Sequence, residues 1–149
     1  MHWHLQAEIV QADAAGWTSA EPFDAILLDA PCSATGTIRR HPDVPRIKRP
    51  RYVRALVETQ DRLLRAAAGM LRQGGRLIYS VCSLQPQEGA PRVEAALARG
   101  GLRFDPFTPA ELAALPEALT QEGYLRTLPG MWAEQGGIDG FFAARLIKI

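Results

Sequence analysis

Apolar residues are concentrated in three short runs that predict β-strands. The run "FDAILLDA" at Phe23–Ala30 is apolar at consecutive positions, as expected for a strand covered on both faces in a parallel sheet. The run "RLIYSVC" at Arg76–Cys82 has the same character, and "AEIVQAD" at Ala7–Asp13 predicts a shorter strand that ends in an acid. The pattern therefore favours an α/β fold built on a buried sheet.

A helical pattern lies between the runs at Phe23–Ala30 and Arg76–Cys82. The spacing i, i+3, i+4, i+7 is followed by Val53, Leu56, Val57, Gln60, Leu63, Leu64, Ala67, Ala68 and Leu71. We expect this helix to end at Gly74–Gly75, because glycine commonly follows a helix C-terminus. The prolines at positions 42, 45 and 50 predict a loop without regular structure before it.

Two cysteines and an acid follow the ends of the predicted strands. Strand, helix and strand in this order form a βαβ unit, whose strands are parallel. Asp29 and Cys32 stand at the carboxyl end of one strand, and Cys82 closes the other. In open α/β sheets the chemistry collects at that edge, so we expect the three side chains to lie close together. Spacing alone leaves open that both cysteines are ordinary small core residues.

Smaller elements are predicted in the rest of the chain. We expect a short helix within "PQEGAPRVEAALARGG", a strand at Leu102–Phe104 and a brief helix in "PAELAALPEAL". The segments "GYLRTLPG" and "GFFAARLIKI" predict a final pair of strands. At 149 residues, with 47% hydrophobic and 22% charged content, the chain is one globular domain.

The composition also limits where the protein acts and what it binds. No long apolar run or signal peptide is visible, so we expect a cytoplasmic protein with free thiols and no membrane partner. The cysteines and histidines lack zinc-ligand spacing, so no metal site is expected.

Basic residues are concentrated between positions 39 and 54. This segment holds seven Lys or Arg residues and one acid, which leaves ten of the 17 basic and fifteen of the 16 acidic residues elsewhere. Such an asymmetry favours a surface that faces a polyanion. The candidate RNA-binding residues are Arg39, Arg40, Arg46, Lys48, Arg49 and Arg51. A solvated loop with scattered charge is the other interpretation.

The motifs "DAPCSATG" and "YSVCS" together resemble the RNA cytosine-C5 methyltransferases, in particular the bacterial ribosomal-RNA branch called Sun or Fmu. The stretches "FDAILLDAPCSATGTIRRHPD", "LRQGGRLIYSVCSLQPQE" and "DGFFAARL" extend the resemblance over essentially the whole chain. The resemblance implies methyl transfer from S-adenosylmethionine to cytosine C5 in RNA, with ribosomal RNA as the expected substrate. The target base has to leave its stack to reach such a pocket.

The resemblance also implies roles for four residues. Cys82 matches the nucleophile that attacks C6 of cytosine, and Cys32 matches the second cysteine, which helps to release the enzyme. Asp29 matches the acid at the junction of cofactor and base, where it could polarise the pyrimidine ring. Asp13 matches the acid that faces the adenine of the cofactor.

The resemblance further implies a partial Rossmann-like fold. The family's sheet order is 3-2-1-4-5-7-6, and residues 1–149 supply strands 3 to 7 but neither strands 1 and 2 nor the glycine-rich cofactor loop. We therefore expect a single, N-terminally truncated catalytic domain that is inactive alone. A bare strand edge would then favour self-association. Alternatively the 149 residues fold as they stand, through a dimer or a rearranged sheet.

Other functions remain as alternatives. A non-catalytic RNA-binding fragment would keep the basic segment and lose methyl transfer. A thiol redox protein would cycle a disulfide between Cys32 and Cys82, although no Cys-x-x-Cys motif is present. An adenine-N6 methyltransferase is disfavoured, because its Asn/Asp-Pro-Pro-aromatic loop is replaced here by Asp-Ala-Pro-Cys.

Overall fold

A computed structural model describes residues 6–47 and 49–149, which form one sheet with helices packed against it. The elements are β1 Phe23–Asp29, α1 Val44–Ile47, α2 Pro50–Met70, β2 Leu71–Val81, α3 Ala90–Ala98, β3 Leu102–Phe104, β4 Leu125–Thr127 and β5 Phe141–Lys148. The predicted strands at the positions of β1, β2, β3 and the β4–β5 pair are confirmed, as are the helices α2 and α3.

The sheet has the strand order β1-β2-β5-β3, with β4 also paired to β5. β1 and β2 are parallel, as the βαβ interpretation predicts, and Leu27 lies opposite Ile78. β5 is antiparallel to β2, β3 and β4, so β3 and β4 follow one another along its other edge. The order corresponds to 4-5-7-6 of the methyltransferase sheet, which confirms this part of the expected topology.

The hydrophobic core lies between the sheet and the helices α2 and α3. Alternate residues of β2 and β5 point to this side, because successive side chains of a strand face opposite ways. Leu77, Tyr79, Leu146 and Ala144 are fully buried there. Leu64, on the apolar face of α2 that the helical spacing predicts, packs into the same core.

The predicted helix stop at Gly74–Gly75 is wrong, because α2 ends at Met70 and β2 begins at Leu71. Leu71 adopts an extended backbone and pairs with Phe23, so the chain changes from helix to strand without a glycine. The pairing register then shifts before Ala25 meets Arg76. Gly74 has a φ of 74°, which allows this irregularity inside the strand.

The prolines of the basic segment do not exclude regular structure, contrary to the expectation. α1 forms a single turn over Val44–Ile47 that includes Pro45, and α2 starts at Pro50. Proline is tolerated in the first turn of a helix, since the N–H that it lacks has no partner there. The brief helix predicted in "PAELAALPEAL" is also not formed; its residues make turns and a 3₁₀ turn at Pro116–Ala118.

The strand predicted at Ala7–Asp13 is absent from the structure, in which residues 6–22 contain no strand. Ile9 is 93% exposed and no described strand lies beside it. A strand without a neighbour leaves its backbone groups and apolar side chains in water, so it is not stable alone. Of the expected strands 3 to 7, the structure thus forms strands 4 to 7.

β1 is covered on one face only, whereas its sequence predicts burial on both. Ile26 and Leu28 pack against the core, but Leu27 on the opposite face is 72% exposed. β1 pairs with β2 alone among the described strands, so its outer edge is free, as expected from the missing neighbours. Self-association through that edge stays a prediction.

Candidate active site

The two cysteines meet at the carboxyl ends of β1 and β2. Cys82 directly follows β2, and Cys32 lies in the turn that follows β1. Their Sγ atoms are 3.5 Å apart, and both side chains are partly exposed free thiols. The prediction that parallel pairing brings both thiols to one edge is therefore confirmed.

The turn after β1 is held against the turn after β2 by backbone hydrogen bonds. Gly36 donates its N–H to the carbonyl oxygen of Cys82 at 3.0 Å. Ala34 adopts a left-handed conformation with a φ of 56°, which starts the 3₁₀ turn Thr35–Thr37. The small residues of "APCSATG" thus let two backbone segments approach within hydrogen-bonding distance.

A buried polar cluster lies directly beneath the cysteines. Glu88 is completely buried and accepts hydrogen bonds from Ser33 and Ser83, the residues that follow the two cysteines. Thr35 accepts the N–H of Leu84 at 2.9 Å through its Oγ1 and contacts both serine hydroxyl groups. Polar groups removed from water need such partners, and here the partners join the two cysteine turns.

The electrostatic surroundings distinguish the thiol of Cys32. Burial is the main cause that raises its pKa to about 12, with smaller contributions from Cys82 and Glu88, while a backbone hydrogen bond at Ala34 opposes the shift. Cys32 therefore stays protonated at neutral pH. A protonated thiol beside Cys82 is a hydrogen-bond donor and is not a nucleophile.

The two predicted carboxylates lie in different surroundings. Asp29 ends β1 with an exposed side chain, which accepts a hydrogen bond from Ser80 at 3.4 Å. Asp13 is also exposed and accepts the N–H of Ala15 at 3.0 Å in a turn. It lines an open cleft of about 540 Å³ together with Arg62 and Arg65 of α2, and Asp29 does not line that cleft.

If Asp29 and Asp13 both bound S-adenosylmethionine, they would line one cavity. Asp29 ends β1 at the same edge of the sheet that carries both thiols, the edge where open α/β sheets bind their ligands. The cleft that Asp13 lines is a separate one, so the two acids do not enclose one cofactor cavity within the described part of the chain. The cofactor-binding roles of Asp29 and Asp13 both stay predictions.

The basic segment divides into two parts. Arg40 donates from Nε to both carboxylate oxygens of Asp139, at 3.1 and 3.0 Å, and Arg39 lies 3.6 Å from the same carboxylate. This neighbourhood lowers the pKa of Asp139, chiefly through the hydrogen bond from Arg40. Arg39 also donates to the carbonyl oxygen of Gly136. These two arginines join the first cysteine turn to the segment before β5.

The other basic residues face solvent. Arg46, Arg49 and Arg51 are exposed, and no ion pair involves them in the described residues. Lys48 lies outside the described residues. The candidate RNA surface is therefore carried by these three arginines, while Arg39 and Arg40 are partly engaged within the chain.

Sequence reasoning missed the polar cluster around Glu88. Its segment "LQPQEG" is typical of an exposed turn, and a fully buried acid was not expected there. A usable signal was present, because serine follows cysteine in both "PCSA" and "VCSL". Two equivalent hydroxyl groups at one strand edge indicate a shared acceptor between them.

Two other kinds of site are absent from the described residues. No helix in residues 6–47 and 49–149 is long and apolar enough to cross a membrane. Over the same residues, no group of three or more His, Cys, Asp or Glu side chains is arranged to hold a metal ion.

Solved structures of methyltransferases share this fold. NSun6 from Pyrococcus horikoshii with SFG superposes with a TM-score of 0.74 and 28% identity, over 95% of this chain and 34% of that one. A methyltransferase homologue from the same organism gives a TM-score of 0.64 and 30% identity, over 87% of this chain and 40% of the other. The partial methyltransferase fold predicted from the sequence is confirmed.

The family can be stated more closely from the sequence. The profile described as "16S rRNA methyltransferase RsmB/F" matches residues 3–147, so the chain belongs to this family. It is 45% identical to ribosomal RNA small subunit methyltransferase B of Pseudomonas syringae pv. tomato, over 97% of this chain and 32% of the relative. The protein of that name from Klebsiella pneumoniae subsp. pneumoniae is 42% identical, over 97% and 31%. The chain thus spans about a third of the length of these relatives.

Proposed function

We propose that this chain forms the reaction-bearing part of an enzyme that methylates cytosine C5 in ribosomal RNA, with S-adenosylmethionine as the methyl donor. The observation that carries the proposal is the pair of thiols, 3.5 Å apart, at the carboxyl ends of two parallel strands. The names of the relatives support ribosomal RNA as the substrate. The structural neighbour solved with SFG, an S-adenosylmethionine analogue, supports the donor.

Cytosine C5 is a weak nucleophile, which explains the need for a thiolate. In the proposed reaction, the Sγ of Cys82 forms a bond to C6 and the ring electrons move toward C5. S-adenosylmethionine would supply the methyl group in electrophilic form and leave as S-adenosylhomocysteine. After methylation a base removes the proton from C5, and the electron pair of that C–H bond forms the C5–C6 double bond as the Sγ–C6 bond breaks. Cys82 thereby leaves as a thiolate.

Cys32 is suited to the last of these steps. Its raised pKa, near 12, keeps it protonated, and its Sγ lies within hydrogen-bonding distance of Cys82. A hydrogen bond donated to the departing thiolate stabilises that leaving group. Asp29, at the end of β1, is proposed to polarise the pyrimidine ring at N3 and the exocyclic amine of cytosine.

The proposal is tested in a full-length background, because the chain covers about a third of its relatives. A chimera carries residues 1–149 in place of the matching segment of the Pseudomonas syringae pv. tomato relative. It is incubated with ribosomal RNA and labelled S-adenosylmethionine, and nucleosides are identified by mass spectrometry. We expect 5-methylcytidine. A chimera that transfers methyl groups only to another base or position would contradict the assignment.

A second candidate, RNA binding without catalysis, is favoured by one observation. Arg46, Arg49 and Arg51 remain exposed, whereas the cleft that Asp13 lines does not include Asp29. Calorimetric titration of the 149-residue chain with S-adenosylmethionine tests whether the isolated chain binds the donor. Micromolar binding would favour the first candidate. No binding together with salt-dependent RNA binding would assign RNA binding to the isolated chain, and absence of methyl transfer by the chimera would then favour the second candidate.

A further inference from the structure

Glu88 is a buried carboxylate without a counter-charge in the described part of the chain. It ends the 3₁₀ turn Pro86–Glu88, its side chain is 0% exposed, and no Lys or Arg forms an ion pair with it there. Burying a carboxylate in this way is costly unless several donors surround it. The identity of those donors indicates what the residue does.

The donors come from both cysteine turns. Ser33, next to Cys32, donates its N–H at 2.9 Å to Oε1 and its hydroxyl at 2.6 Å to Oε2 of Glu88. Ser83, next to Cys82, donates its hydroxyl to the same Oε2. One side chain is thus hydrogen-bonded to the immediate neighbour of each thiol.

Two further elements, α2 and β2, also donate hydrogen bonds to Glu88. Gln60 of α2 donates from Nε2 to Oε1 of Glu88 at 3.0 Å and to the carbonyl oxygen of Pro31 at 3.0 Å. Tyr79 of β2 donates its hydroxyl to the backbone carbonyl of Glu88 at 2.6 Å. Helix, strand and both turns therefore meet at one residue, and a shift of Glu88 would move both cysteine turns.

We propose that Glu88 is a positioning residue that sets the separation and orientation of the Cys32 and Cys82 thiols. Its importance for methyl transfer rests on the proposed function, whereas its effect on thiol geometry does not. Each serine lies one residue from a thiol, so removing the shared acceptor lets the two turns separate. The residue itself contacts neither thiol by a hydrogen bond and is not a catalytic residue.

Thiol–disulfide exchange measures the thiol geometry without any methylation. Cys82 and Cys32 react with glutathione disulfide to give an intramolecular disulfide and two molecules of glutathione, which receive the two thiol protons. The equilibrium constant of this exchange gives the effective concentration of the Cys32 thiol that Cys82 experiences. It is measured in the 149-residue chain by acid quenching and mass spectrometry over a series of glutathione redox buffers.

We expect Glu88→Ala to lower this effective concentration by about tenfold or more, since hydrogen bonds to a charged group are lost from both turns. Glu88→Gln should recover most of it. Its amide oxygen can accept from Ser33 N–H and Gln60, and the serine hydroxyls can accept from its NH₂ group. Glu94→Ala, an exposed acid on α3, is the matched control and should leave the equilibrium unchanged.

A second variant covers the case in which Glu88→Ala fails to fold. Ser83→Ala removes the tie to the Cys82 turn only and should lower the effective concentration about threefold or more, as expected for one hydrogen bond. Thermal unfolding of each variant separates a loss of stability from a loss of thiol geometry. Unchanged disulfide equilibria in Ser83→Ala and in a folded Glu88→Ala would overturn the proposal.

The chimera distinguishes failure of this inference from failure of the proposed function. If the function is right, Glu88→Ala lowers kcat by about tenfold or more and leaves the KM for S-adenosylmethionine unchanged, and Glu88→Gln restores kcat. If the chimera does not methylate cytosine at all, the disulfide series still decides whether Glu88 positions the thiols.

Discussion

Gly36 and Gly140 lie so close together that neither position has room for a side chain. Gly140 donates its N–H to the carbonyl oxygen of Gly36 at 2.8 Å. A Cβ on Gly36 would lie 1.8 Å from the carbonyl oxygen of Gly140 and 2.9 Å from that of Cys82. The contact joins "DAPCSATG" to "DGFF", two motifs that are far apart in the sequence, at the base of the candidate site.

Replacing Gly36 by alanine should therefore destabilise the protein by about 2 kcal/mol or more, because backbone atoms cannot move aside as a flexible side chain does. Urea unfolding followed by circular dichroism measures this change. Gly69→Ala is the matched control: Gly69 lies in α2 with nothing within 4 Å of the added Cβ, so a gain of about 0.5–1 kcal/mol is expected. Equal effects of both changes would refute the steric account.

The two cysteines should give different phenotypes in the chimera. Cys82→Ala removes the proposed nucleophile and should abolish methyl transfer to below about 0.1% of the parent. Cys32→Ala leaves the nucleophile and removes the hydrogen bond to the departing thiolate, so a covalent RNA–protein adduct should accumulate. Denaturing gels with labelled RNA detect the adduct. Adduct formation by Cys82→Ala instead would exchange the two roles.

The raised pKa of Cys32 predicts slow alkylation. A shift from 9.0 to about 12 leaves a thiolate fraction at pH 8 that is roughly a thousandfold below that of an ordinary thiol. Iodoacetamide labelling, followed by peptide mass spectrometry, should show Cys32 reacting at least about a hundredfold more slowly in the folded chain than in urea, because burial adds to the loss of thiolate. Similar rates in both states would contradict the pKa assignment.

The same pKa also gives a sign for the dependence of stability on pH. The folded state holds its proton more tightly than the unfolded state, so the contribution of Cys32 is fully present below about pH 9 and is lost as the pH rises toward 12. In Cys32→Ala this alkaline loss of stability should be smaller, as seen in urea unfolding between pH 8 and 10.

The exposed arginines predict a salt-dependent loss of RNA binding. The double variant Arg46→Ala/Arg49→Ala should weaken binding to single-stranded RNA and reduce the slope of log K against log salt by about 1.4, or about 0.7 for each lost phosphate contact. Fluorescence anisotropy in a salt series measures this slope. Arg62→Ala/Arg65→Ala on α2 changes the net charge equally and should leave the slope unchanged. An equal reduction in both variants would indicate a general effect of charge.

Local patterns predicted the elements that pack against each other within the described chain. The run at β1, the stripe on α2 and the run at β2 form a βαβ unit, so periodicity and the parallel direction of its two strands were enough to predict that Cys32 meets Cys82. The strand expected at 7–13 does not form because it has no neighbouring strand to pair with. Its alternation indicates a strand, but strand formation needs a neighbour, and the described sheet provides none.

Features that depend on distant partners were not readable from local sequence. Gly74–Gly75 is typical of a helix end, yet the pairing of Leu71 with Phe23 ends the helix earlier. The burial of Glu88 depends on donors from positions 33, 60 and 83, and no window of sequence around it contains them all. Such contacts become visible only once the chain has been folded.

The position of β5 has a consequence for synthesis on the ribosome. This strand lies in the middle of the sheet, with β2 on one side and β3 and β4 on the other, yet it follows all of them in sequence. A nascent chain can form β1, α2 and β2 early, but Gly140 reaches Gly36 only after residue 140 has been translated. Until then the turn that carries Cys32 lacks this contact, so the thiol pair reaches its final geometry only after residue 140 has been added to the chain.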